Sequence, residues 1–73
     1  MSKASEYFTQ AISEEDKHKA IELYTKAIEL NPKFSEAYNN RGILKEDSGD
    51  EDGAMMDFNM AIEKSPNLAG SFK

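Results

Sequence analysis

Ala20-Ile21-Glu22-Leu23-Tyr24-Thr25-Lys26-Ala27-Ile28-Glu29-Leu30-Asn31-Pro32 and Ala54-Met55-Met56-Asp57-Phe58-Asn59-Met60-Ala61-Ile62-Glu63-Lys64-Ser65-Pro66 lie 34 residues apart and read as two copies of one segment. Five of the thirteen paired positions are identical, and Tyr24 pairs with Phe58 as a conservative exchange. The two prolines of the chain close the two copies, each after a stretch in which apolar residues recur at helical spacing. An interval of this size marks an internal repeat, whose units stack on their neighbours because one unit cannot bury its apolar face alone.

Working outward, each copy is the second helix of a helical hairpin. Helices are predicted from about Ser2 to Ser13, Glu15 to Leu30, Ser35 to Asp47 and Glu51 to Lys64, with Ser35 as N-cap of the third and a turn at Ser48-Gly49-Asp50. Glu15 with Lys19 and Glu22 with Lys26 give i,i+4 pairs along the second helix. Asp50, Glu51 and Asp52 favour the positive dipole end of the fourth helix, so the acidic run there has a structural cause. Each proline disfavours helix at the residue before it and ends its unit.

Composition limits what such a chain can do. Seventy-three residues, no Cys, no Trp and a single His (His18) describe a small domain without disulfides or a thiolate zinc site. A chain of this size buries only about 60% of the surface it exposes when unfolded, which leaves a thin core. Fourteen acidic against nine basic residues give a net charge of −5, which repels a phosphate backbone or an anionic bilayer. No apolar run is long enough for a membrane span or a signal-peptide core, so the expected setting is cytoplasmic, with a nuclear one as the alternative.

Tyr38, Gly42, Ala54, Phe58, Ala61 and Pro66 fall at positions 4, 8, 20, 24, 27 and 32 of a 34-residue unit starting at Ser35, and this pattern resembles the tetratricopeptide repeat. Gly42 and Ala54 are small, so two helices can approach, while Tyr38 and Phe58 fill the space beside them and Ala61 admits the next helix. Arg41 stands where a large aliphatic is common and Lys45 where an aromatic is; Lys45 is expected to lay its stem on apolar surface with its head in water. In the first unit Ala20, Tyr24, Ala27 and Pro32 match, but Phe8 stands where a small residue is expected and Glu15 where a glycine is. The first helix is accordingly expected to be shifted by a residue or to serve partly as a cap.

The resemblance implies an all-α fold: antiparallel helix-turn-helix repeats stacked as a short right-handed superhelical solenoid of about four helices plus a short C-terminal segment. The units are residues 1–34, 35–68 and 69–73, the last being the start of a third repeat or the remnant of a cap. It also implies a non-catalytic module without cofactor, binding a peptide or helix of a protein partner in a concave groove. By the family's pattern the groove comprises Ser5, Glu6, Thr9 and Ile12 of the first repeat, with Glu36, Asn39, Asn40, Ile43 and Glu46 of the second. Paired Asn side chains can donate to and accept from a peptide main chain, or else are polar residues on a solvated face.

Other readings are weaker. Co-chaperone members of the family clamp a terminal carboxylate with Lys, Asn and Arg, and here only Asn40 stands at such a position, Ser5 and Thr9 occupying the others. A clamp without cations has lost its attraction. His18 has no nucleophile at a defined spacing, and the run from Glu46 to Asp52 lacks the spacing of a calcium loop, so neither catalysis nor metal binding is expected. The second helix of the second repeat is expected to lack a following helix over its outer face. There Met56, Met60, Leu68 and Phe72 would form a self-association face for a homodimer by stacking or helix exchange, unless the chain is part of a longer array. Alternatively, Met55 is simply core and Met56 and Met60 are isolated exposed residues.

Overall fold

The computed structural model describes residues 2–65, which form four α-helices: α1 (Lys3–Ser13), α2 (Lys17–Leu30), α3 (Ser35–Asp47) and α4 (Glu51–Lys64). Among the described residues there is no strand, and the chain folds as the all-α helical repeat that its period implies. The period is visible in the backbone: α1 and α3 end, α2 and α4 begin, and α2 and α4 end 34 residues apart. The first helix is therefore not displaced at its carboxyl end, contrary to expectation, and it starts two residues late by that count.

Local chemistry sets each start. Ser2 precedes α1 and accepts from the Ser5 N–H at 3.1 Å, and Asp16 precedes α2 and accepts from the His18 and Lys19 N–H groups. Asp16, rather than a helix beginning at Glu15, marks the boundary because a carboxylate there satisfies two orphan donors. Ser35 is not the N-cap of α3: it is the first helical residue, and Phe34 holds the cap position without a side-chain bond. Phe34 is fixed there by tertiary packing, its ring stacked on Phe8 with centroids 4.8 Å apart, while Asn31 Oδ1 accepts from the Lys33 N–H in the turn before it. Asp50 caps α4 through the Gly53 N–H.

The two hairpin turns differ. After α3 the Gly49 N–H bonds the Glu46 carbonyl and the Asp50 N–H reaches back to Lys45, with Gly49 at φ +91°. This is a Schellman closure, and it needs a residue free to take positive φ. After α1, Glu14 leaves in an extended conformation (φ −80°, ψ 123°), its N–H bonded to Ala11, so the missing glycine at residue 15 changes the turn without moving the next helix.

The core is alanine-rich and thin. Ala11, Ala20, Tyr24, Ile28, Ala37, Tyr38 and Ala61 form it, with Phe8, Leu23, Phe34, Leu44 and Met60 packed on its margin. Small residues let the helices close and a few rings fill the gaps, which suits a fold with little apolar volume to spend. In the second hairpin Gly42 is the close approach, since a Cβ there would lie 2.9 Å from the Phe58 ring and 3.2 Å from the Ala54 carbonyl. In the first hairpin sizes are exchanged: Ala4 stands for Tyr38 and Phe8 for Gly42, and the Phe8 ring meets Tyr24 edge-on at 5.7 Å. Phe8 is thus accommodated by a small residue one turn earlier.

Lys45 does not end in open water. Arg41 grips the buried Asp57 carboxylate through Nε (2.9 Å) and Nη2 (2.7 Å), Lys45 Nζ lies 3.3 Å from it, and Arg41 Nη1 donates to Thr25 Oγ1 of α2. The Asp57 bond is the main cause that raises the Arg41 pKa, so the guanidinium stays charged although burial opposes it. Thr25 itself donates to the Ile21 carbonyl. One cluster thereby ties α3 to both neighbouring helices.

Candidate functional site

Where α1, α2 and α3 meet, an open cavity of about 200 Å³ is walled by Ala11, Ile12, Glu14, Ala20, Tyr24, Asn40, Ile43 and Leu44. Its origin is the alanine-rich packing: Ala11 and Ala20 keep α1 and α2 close at the floor. The helical period then turns Ile12 and Ile43 outward beside the opening, 60% and 45% exposed. Apolar side chains left in water on both sides of a concavity favour an apolar guest.

The predicted groove residues divide on this geometry. Ile12, Asn40 and Ile43 come together around the cavity. Ser5, Thr9, Glu36, Asn39 and Glu46 do not line it, and several are occupied locally. Ser5 Oγ accepts from Ser2, Thr9 Oγ1 donates to the Ser5 carbonyl, and Glu36 Oε1 accepts from Ser35. Glu36 and Glu46 are exposed on α3, Asn39 is partly exposed, and Glu6 is exposed on α1. One N–H of the Asn40 amide is engaged, Nδ2 donating to Tyr24 Oη at 3.3 Å, which leaves its other N–H and its Oδ1 for a peptide main chain. That bond draws the second-repeat asparagine toward the core.

Sequence reasoning missed Ala11, Glu14, Ala20, Tyr24 and Leu44 as lining residues. Tyr24 had been a packing residue by its position in the repeat, and Glu14 lies in a turn, where spacing gives no direction. Glu14 Oε1 accepts from the Asp16 N–H at 3.2 Å, which holds the carboxylate near the end of α1. Among the described residues lining the cavity it is the one charged group.

The self-association face is also rearranged. Met55 and Met56 on α4 are 64% and 68% exposed, whereas Met60 is half-buried against the core. Met55 is therefore not the core residue of the alternative reading, and Met60, exposed in that reading, packs on the core cluster instead. Ile62 is 43% exposed, while Ile28, its counterpart 34 residues earlier, is 9% exposed under α3. Leu68 and Phe72 lie outside the described residues. No group of His, Cys, Asp or Glu placed to hold a metal occurs among the described residues, and no helix there is long and apolar enough to cross a membrane.

Comparison with known proteins agrees with this architecture. The family model for the tetratricopeptide repeat matches residues 23–55. A UDP-N-acetylglucosamine–peptide N-acetylglucosaminyltransferase of Giardia intestinalis is 37% identical over 60 residues, which is 82% of this chain and 4% of that protein. The likeness concerns that small share of the enzyme alone. No solved structure matches the chain.

Proposed function

The chain carries tetratricopeptide-repeat sequence over residues 23–55, and from that premise we propose that it is a non-catalytic interaction module that takes a segment of a partner protein into the cavity between α1 and α3. The repeat is a non-catalytic fold that generally mediates protein–protein contact. The observation carrying the finer reading is the pair Ile12 and Ile43, exposed on either side of an apolar-floored opening. Burying both, together with one guest side chain, supplies the apolar area that a short segment needs to offset its ordering. A carboxylate clamp is not proposed, since no cation lines the cavity among the described residues.

The test is selection of binders from a displayed random-peptide library, followed by amide chemical-shift mapping. Shifts are expected to centre on Ile12, Ile43 and Leu44. Ile12→Asp with Ile43→Asp should weaken binding by more than about tenfold while helicity stays unchanged, because both side chains already face water. Shifts centred on Met55 and Met56 would instead displace the site to α4. This pair of variants is sharper than replacing Asn39 and Asn40 by Ala, which would also remove the bond to Tyr24.

A second reading, self-assembly through α4, rests on the exposed Met55 and Met56 and on Ile62, which is exposed where its counterpart Ile28 is covered. Sedimentation as a function of concentration checks it: a dimer that Met56→Glu returns to monomer supports this reading, and a monomer at every concentration ends it.

A further inference from the structure

The cavity does more than admit an apolar residue: its surroundings select the neighbours of that residue. We propose that the preferred guest is one large apolar side chain, of the leucine or phenylalanine class, flanked in the partner's sequence by lysine or arginine. This rests on the groove reading above and adds the chemical class of its occupant.

Size argues for a single side chain. An apolar void of about 150 Å³ accepts a benzene-sized group, and the opening here measures about 200 Å³. Five of its eight lining residues, Ala11, Ile12, Ala20, Ile43 and Leu44, are aliphatic, and two of the polar ones, Tyr24 and Asn40, are bonded to each other, so an apolar guest is favoured over a polar one. Ile12 and Ile43 then close over the stem of the guest from the two sides.

Charge argues for cationic flanks. Glu14 is the charged group at the rim, held by the Asp16 N–H. It stands just beyond the carboxyl end of α1, a helix with no basic residue in its last turn, so carbonyl dipoles add to the negative field there. Glu36 and Glu46 are exposed along α3, which extends the negative surface beside the opening. The nearest lysines in sequence, Lys17 and Lys19, are exposed at the start of α2 and do not line the cavity. Lys45 and Arg41 are engaged by Asp57 on the α4 side. A cation beside the anchor therefore meets unopposed carboxylate at the rim, whereas an acidic flank meets repulsion.

Three short Gly/Ser peptides, titrated into the intact chain and followed by amide shifts, test this. The first carries one Leu between two Lys, the second Ala in place of the Leu, and the third Glu in place of each Lys. The first should bind with shifts at Ile12, Glu14 and Ile43, at least about tenfold more tightly than either of the others, and its advantage over the Glu-flanked peptide should shrink as salt is added. Glu14→Gln should cut the preference for Lys over Glu several-fold and leave the preference for Leu over Ala in place. Equal binding of the Lys- and Glu-flanked peptides, equal binding of the Leu and Ala peptides, or no binding of the first at millimolar concentration overturns the inference. In each of those cases library-selected peptides that still shift Ile12 and Ile43 leave the groove reading standing, whereas selected peptides that shift α4 bring it down as well.

Discussion

The two hairpins share one backbone period and are held together by opposite chemistry. In the second, Arg41 and Lys45 of α3 hold Asp57 of α4; in the first, the residues 34 positions earlier are Tyr7, Ala11 and Leu23. An ion cluster around a buried carboxylate and a set of uncharged residues thus occupy equivalent positions of the repeat. What the fold requires at this place is a filled volume between two helices, and its polarity is open to choice provided that every charged group is matched. Asp57 is 3% exposed and Arg41 and Lys45 side chains 15% and 23%, so the carboxylate depends on its cations, while the cations retain some water.

Removing the carboxylate should break the symmetry most. Asp57→Ala leaves two half-desolvated cations facing each other and is expected to cost about 3 kcal/mol, read as the shift of a chemical unfolding midpoint. Converting the whole cluster to its first-repeat equivalent, Arg41→Tyr with Lys45→Ala and Asp57→Leu, should cost far less than Asp57→Ala alone. A triple variant as unstable as the single one would mean that the ions do more than fill space. Leu23→Asp supplies the converse, a carboxylate in the first hairpin with neither cation present, and should match Asp57→Ala in severity.

The exchange of large and small residues gives the next effect. Phe8 is half-buried and joins α1 to Tyr24 and to Phe34 at the start of α3. Phe8→Ala is expected to cost about 2 kcal/mol, below the range for a fully buried ring, and to loosen the amide protection of the first turn of α3. Hydrogen exchange that changes only within α1 would show that the contact with Phe34 does not fix that helix start.

These details mark the limit of what the sequence discloses. The period, the four helices and the small residues at Ala20, Gly42, Ala54 and Ala61 were legible because steric demand recurs at a fixed interval. The cluster around Asp57 was not, since reading one helix at a time gives no partner to a polar residue on the next. Arg41 and Lys45 at i,i+4 with Asp57 where the other copy has Leu23 was the available signal. At the cavity, Ile12 and Ile43 followed from helical phase, but one N–H of Asn40 is engaged by Tyr24 and Glu14 lies in a turn whose direction depends on how α1 ends. Phe34 as the start of α3 is likewise a tertiary effect, visible only once Phe8 is in place.

The turns supply the smallest contrast and the cleanest one, because Gly49 has no side-chain neighbour within 4 Å and only its backbone is at stake. At φ +91° an L-residue is strained, so Gly49→Ala should cost about 1 kcal/mol, lowering the melting temperature by about 4–8 °C for a domain of this size. The reciprocal change does not restore the balance. Among the described residues of the first turn none has positive φ, and Glu14 already leaves α1 in an extended conformation. Glu15→Gly therefore releases no strain and only widens the freedom of the unfolded chain, an entropic loss of a few tenths of a kcal/mol. Stabilisation by Glu15→Gly, measured in the same melting experiment, would show that the first turn shifts to the Schellman closure of the second once a glycine permits it.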